Sequence, residues 1–188
     1  VLLSLTNKGA YFTPYPSGPF CNSTMRRLIF WMLLLAGAGF WSRPGVAEDG
    51  YQLWLRYVRI GDETLRQRYL EQLRALHLEA TSPTLEIVQE ELRRGLQGLL
   101  GTSMPLVDRV EEGVLLVGTP ASCPTIAALG LEAELQALGD EGFMIRTMTV
   151  EGHRATVLAA AKDVGVLYGA FHLLRLLQTH RPIDSLNV

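Results

Sequence analysis

Gly113 and Gly118 bracket Val114-Leu115-Leu116-Val117, a run with no polar side chain at either alternate position. Successive side chains of a strand point to opposite faces, so an unbroken apolar run of this length reads as a strand buried on both sides and central in a sheet. The rest of the chain must supply what covers it.

Two helical patterns precede the run. Gly61 closes one segment and Asp62 is placed to cap a helix in which Leu65, Tyr69, Leu73 and Leu76 share a face, with Arg66, Gln67, Glu71 and Arg74 on the wet side. Ser82-Pro83 then starts a second helix, a cap followed by proline at the first helical position, with Leu85, Val88, Leu92, Leu96 and Leu99 as its stripe and Gly101 as its stop. Each stripe is one-sided, so both helices need a common surface.

After the central strand, Thr119 to Pro124 read as a loop and Thr125 to Leu138 as one or two short helices broken at Gly130. Residues 142–150 and 154–160 flank Glu151-Gly152-His153 and read as a hairpin. A last helix begins near Asp163, taken as its cap, and directs Val166, Leu167, Ala170, Phe171, Leu174 and Leu177 inward. Gly165 and Gly169, four apart, would bring its backbone close to a sheet. Upstream, Tyr51, Leu53, Leu55 and Tyr57 alternate with Gln52, Trp54 and Arg56, the period of a strand. This order of elements predicts an α/β (α+β) fold, a two-layer domain with a mixed β-sheet packed by helices.

The beginning of the chain reads differently. Met25-Arg26-Arg27 opens an apolar stretch from Leu28 to Trp41, which ends in Ser42-Arg43-Pro44-Gly45-Val46-Ala47 with small residues before Glu48. Residues 25–47 therefore read as a secretory signal peptide, and the stretch is short of the roughly 20 residues a membrane span requires. Residues 1–24, rich in proline and without apolar period, read as an upstream or disordered extension. Without residues 1–47 the chain keeps 13 basic and 19 acidic side chains, a net charge of −6 that argues against nucleic acid as a partner. It also keeps a single cysteine, Cys123, which excludes an internal disulfide and reads as a small buried residue.

No chemistry emerges from spacing. His77, His153, His172 and His180 make no metal-ligand pattern; His77 and His172 read as helix residues, His153 as a turn residue, and His180 lies near a helix end. Glu111-Glu112 falls in a turn and Glu132 and Glu134 on two sides of a helix, so neither pair is placed to share a site. Gly118-Thr119-Pro120-Ala121-Ser122 lacks the lysine and glycines of a phosphate loop, and no G-x-S-x-G element occurs. No catalytic residue, cofactor site or metal site is expected.

Particular strings carry a resemblance. Glu48-Asp49-Gly50-Tyr51-Gln52-Leu53-Trp54-Leu55-Arg56-Tyr57 resembles the opening of mature α-glucuronidases of glycoside hydrolase family 67, and Glu141 to Thr147 and Asp163 to Thr179 resemble its later blocks, in the same order. A looser form of those later blocks also resembles the accessory domain before family 20 hexosaminidase barrels, and the Trp54-Leu55-Arg56-Tyr57 start selects the glucuronidase. The resemblance implies that residues 48–188 are an N-terminal α/β domain of a secreted or periplasmic enzyme. It implies as partner a following (β/α)₈ barrel of the same parent chain, whose carboxylates remove 4-O-methyl-glucuronic acid from xylan-derived oligosaccharides. None of those carboxylates can be carried onto this sequence. The barrel is expected to begin beyond Leu186-Asn187-Val188, which reads as a truncated frame, and homodimerisation of the parent is left open. A stand-alone carbohydrate-binding module is the alternative from another functional class.

Overall fold

The computed structural model describes residues 56–188. The expected extension 1–24, the expected signal peptide 25–47 and the strand pattern from Tyr51 to Leu55 lie outside the described residues; Arg56 and Tyr57 are in no strand.

Helix α1 spans Glu63–Gln72, and Asp62 caps it by accepting from the Leu65 amide at 3.0 Å. The apolar spacing carries the expected helix on to Leu76, but the helix stops at Leu73. Ala75–His77 instead forms strand β1, all three residues buried. Sheet partners take over the backbone here: Arg74 N donates to Gly113 O at 2.8 Å, Leu76 N to Pro105 O at 2.9 Å, and Val107 N to Leu76 O at 3.0 Å. A three-residue strand is too short to display its own period, so its sheet partners decide it. His77 is accordingly a strand residue.

Arg66 also departs from expectation. It is buried, with Nη1 donating to Leu100 O at 2.9 Å and the guanidinium paired to Glu63. It thereby satisfies one of the carbonyls left without a partner at the end of the next helix, α2, Pro83–Leu100. That helix has the expected bounds: Ser82 Oγ accepts from Leu85 N at 3.2 Å, and Gly101 closes it in the left-handed conformation, φ 74°.

Strand β2 is Val114–Gly118, followed by the short helices α3, Pro124–Ala128, and α4, Glu132–Ala137. The hairpin pairs β3, Phe143–Val150, with β4, His153–Ala160. Glu151 and Gly152 both have positive φ, 52° and 85°, the two-residue turn whose twist matches its strands; His153 is thus the first residue of β4 rather than part of the turn. Helix α5, Asp163–Gln178, ends the set; Lys162, not Asp163, holds the cap position, and the Asp163 carboxylate accepts from Ser82 Oγ at 2.6 Å.

The sheet order is β1-β2-β4-β3, with β1, β2 and β4 parallel and β3 antiparallel at one side. The mixed sheet and the α/β class are those expected, and β2 is interior as its apolar run requires. Leu115, Val117, Ile145 and Leu158 face α1, α2 and α5 in the larger core, with Leu92, Leu96, Leu173 and Leu174. Val114, Leu116, Val157 and Ala159 face the other way, against Ile126 of α3 and Leu135 of α4, with Cys123 fully buried among them. Both flanks are covered: Pro105–Val107 runs along β1, and Ile145 exchanges hydrogen bonds of 3.1 and 3.0 Å with Val188 beside β3. No helix among the described residues is long and apolar enough to cross a membrane.

The Glu63–Arg66 pair carries a pH signature. Hydrogen bonds from Arg66, then Gln67, hold the Glu63 carboxyl down at about 2, from an ordinary 4.5. A depressed carboxyl stabilises the fold above its unfolded pKa and loses that contribution as pH falls through the folded one. The stability gap between wild type and Glu63→Gln should therefore be constant above about pH 5, shrink between 4.5 and 2, and close below 2. Denaturant midpoints across that range check it, and a gap unchanged at pH 2 refutes it. Because the glutamate is exposed, the gap itself is small.

Candidate functional site

In open α/β sheets, ligands enter beyond the carboxyl ends of the parallel strands, where helix N-termini gather. Here β1, β2 and β4 lead through loops to α2, α3 and α5, so their capping positions Ser82, Cys123 and Lys162 collect at that end.

The loop after β2 is closed on itself. Thr119 N donates to Ser122 Oγ at 2.9 Å, Thr119 Oγ1 to Ser122 Oγ at 3.1 Å, and Ser122 N to Thr119 Oγ1 at 3.1 Å. Both residues are buried, and Cys123 makes no side-chain cap bond. These groups tie off a tight strand exit, as the sequence suggested, and are already engaged with one another.

Beside it, at the end of β1, lies an open cleft of about 610 Å³ whose walls include His77, Glu79, Leu106, Asp108 and Arg109. His77 is 4% exposed, and its Nδ1 is buried without a hydrogen-bond partner. The cleft joins residues about thirty positions apart in sequence, and the helical reading of His77 hid it. The available signal was Leu76-His77-Leu78 a few residues before the Ser82-Pro83 helix start, a strand–loop–helix spacing. Chemically the walls offer carboxylates and a guanidinium on an exposed rim, suited to a hydroxyl-bearing ligand. The orphan nitrogen is shut away from the solvent of the cleft, which does not suit it to proton transfer.

A second cleft, about 320 Å³, gathers Arg56, Arg59, Gln178 and His180 past the end of α5. His180 sits there in the left-handed conformation, φ 58°. His153 is exposed, and His172 packs its ring against Phe143 at 5.4 Å between centroids. One member of each acidic pair has a partner in the sheet. Glu134 is bound by the Arg146 guanidinium of β3, which lowers its carboxyl below the usual range. Glu112 accepts from Arg154 N at 3.0 Å. Both carboxylates thus brace the sheet. Among the described residues no three His, Cys, Asp or Glu side chains are grouped to hold a metal ion.

Residues 53–173 match the family described as "Glycosyl hydrolase family 67 N-terminus". A protein of Aspergillus terreus (strain NIH 2624 / FGSC A1156) named "Probable alpha-glucuronidase A" is 30% identical over 142 residues, 73% of this chain and 16% of its own length. Its namesake in Aspergillus oryzae (strain ATCC 42149 / RIB 40) is 26% identical over 154 residues, covering 80% of this chain and 16% of its own. Among solved structures, a family GH115 4-O-methyl-α-glucuronidase with specificity for decorated arabinogalactans aligns with a TM-score of 0.45 and 22% identity, over 56% of this chain and 13% of its own. The chain thus spans 16% of the length of the curated relatives it matches.

Proposed function

Since the chain belongs to the family 67 glycosyl hydrolase N-terminus family, we propose that it serves as the non-catalytic N-terminal domain of a secreted α-glucuronidase. The parent removes (4-O-methyl)glucuronic acid from xylan-derived oligosaccharides, and this domain supports a catalytic barrel that follows it. The observation that carries the reading is the family match over 53–173, joined to a sheet whose two faces are both filled by the domain's own side chains. Glycosidic hydrolysis requires two carboxyl groups facing one bond, roughly 5 to 10 Å apart. Asp62, Glu63, Glu112 and Glu134 are engaged by a helix cap, a strand amide and arginine partners. The family assignment favours the glucuronidase over the hexosaminidase accessory domain.

Two assays test the proposal. The chain alone should release no glucuronic acid from aldouronic acids, and turnover that tracks the purified protein would refute a supporting role. Grafted in place of the aligned segment of the Aspergillus terreus relative, residues 53–173 should sustain hydrolysis by the remainder; a folded but inactive chimera would argue that the domain does not support such a barrel. Export rests on the leader pattern of residues 25–47. Mass analysis of the exported product should find Glu48 at its N-terminus, and a retained leader would overturn that part.

A further inference from the structure

Neighbouring parallel strands that send their chains to opposite faces of a sheet leave a crevice beyond their carboxyl ends, where open α/β sheets take ligands. Strands β1 and β2 part in this way. After β1, α2 packs on the face of Leu115 and Leu158; after β2, α3 packs on the face of Leu116 and Val157. The cleft of about 610 Å³ opens on the β1 side of that parting, with residues 106–109 as its outer wall.

Its polar groups are uncommitted. Glu63, Glu112 and Glu134 each have a partner in the fold, whereas the exposed side chains of Glu79, Asp108 and Arg109 enter no ion pair among the described residues. His77 is buried, with Nδ1 unpartnered. A proton on that nitrogen would be a buried donor without an acceptor, so the ring carries its hydrogen on Nε2. Nε2 also lacks a partner among the described residues, but it is not sealed off as Nδ1 is, and it is left for the cleft that His77 lines.

The walls select a ligand. Two carboxylates against one guanidinium make the cleft net negative, which turns away free uronates and phosphates. Towards hydroxyl groups the carboxylates are acceptors and the guanidinium and Nε2–H are donors, while Leu106, 47% exposed, offers an apolar surface beside them. This combination fits a ring with hydroxyls at its edge and C–H groups on its faces. We propose that the cleft binds a neutral sugar segment, held by Glu79, Asp108, Arg109 and His77 Nε2. Resting on the α-glucuronidase reading, the segment is undecorated xylose backbone, and the glucuronic acid is left to the barrel.

Xylotetraose titrated into the nitrogen-labelled full chain, followed by amide NMR shifts, tests this. The shifts should concentrate on residues 77–79 and 106–109 and saturate, and free glucuronate at the same concentration should produce none. Asp108→Ala and Arg109→Ala, at exposed positions, should each weaken binding roughly tenfold. His77→Gln, whose amide nitrogen stands in for Nε2, should bind within about threefold of wild type. Arg59→Ala in the second cleft should leave binding unchanged. No saturable shift with xylotetraose, shifts centred elsewhere, or equal binding of glucuronate would each overturn the proposal. Should His77→Gln unfold, the two exposed variants still decide. Failure here leaves the supporting role of the domain standing, because that role is decided by hydrolysis in the chimera.

Discussion

Gly165→Ala should destabilise the fold by about 2 kcal/mol, although alanine is the better helix former. The substitution gains about 1 kcal/mol of helix propensity. A methyl group at this position, however, would lie 2.4 Å from the Gly142 carbonyl oxygen and 2.8 Å from Ala160 Cβ. One of these neighbours is backbone at the entry to β3 and the other is the last residue of β4, so neither can swing aside as a long side chain does. The helix must lift from the hairpin, at an overpacking cost of about 3 kcal/mol, the upper end of the usual range. Gly95→Ala is the control: its methyl would meet the branched end of Leu174 at 2.6 Å, which can rotate, so propensity and crowding should nearly cancel. Urea unfolding of the two variants measures the difference. A Gly165→Ala chain as stable as wild type would mean that α5 does not ride on the hairpin as closely as the structure has it.

That close approach was legible in the spacing of Gly165 and Gly169, and the legible features share a cause. Ser82-Pro83 and Gly101 set the ends of α2, Glu151-Gly152 set the hairpin, and two glycines with four apolar residues between them set β2; each signal and its effect lie within a few residues. What escaped was decided at long range. Leu73 to Leu76 continues the helical stripe of α1, and only hydrogen bonds to Gly113 and Pro105 turn the chain into β1. Arg66 looks like a solvated residue until the end of α2, 34 positions away, presents its carbonyl. Asp163 resembles a cap, yet its carboxylate is spent on Ser82 across the helix pair. The same limit governs the site. The cleft at His77 is assembled by the pairing of β1 with residues 105–107, a contact that no local period encodes.

Leu115 and Leu116 are neighbours in one strand, both fully buried, and they belong to opposite cores. Truncating a buried leucine to alanine removes transfer energy and leaves a cavity, about 2–5 kcal/mol together, with the value set by how far the surroundings collapse. Leu115 lies under α2 and α5, long helices joined at their starts, which resist collapse; Leu115→Ala should cost about 4 kcal/mol. Leu116 lies under α3 and α4, of five and six residues and without side-chain caps, which can settle inward. Leu116→Ala should therefore cost less, about 2–3 kcal/mol. At about 3 °C per kcal/mol for a domain of this size, calorimetry should find melting lowered by roughly 12 °C and 8 °C respectively. The comparison that matters is with exposed Leu138→Ala, expected within about 0.5 kcal/mol of wild type. If Leu116→Ala were equally harmless, the reverse face would not be core, and the sheet would have a face free to receive a ligand or a neighbour. A large loss at both leucines instead means that β2 exhausts its two surfaces in holding the domain together, leaving function to its helices, its loops and whatever it supports.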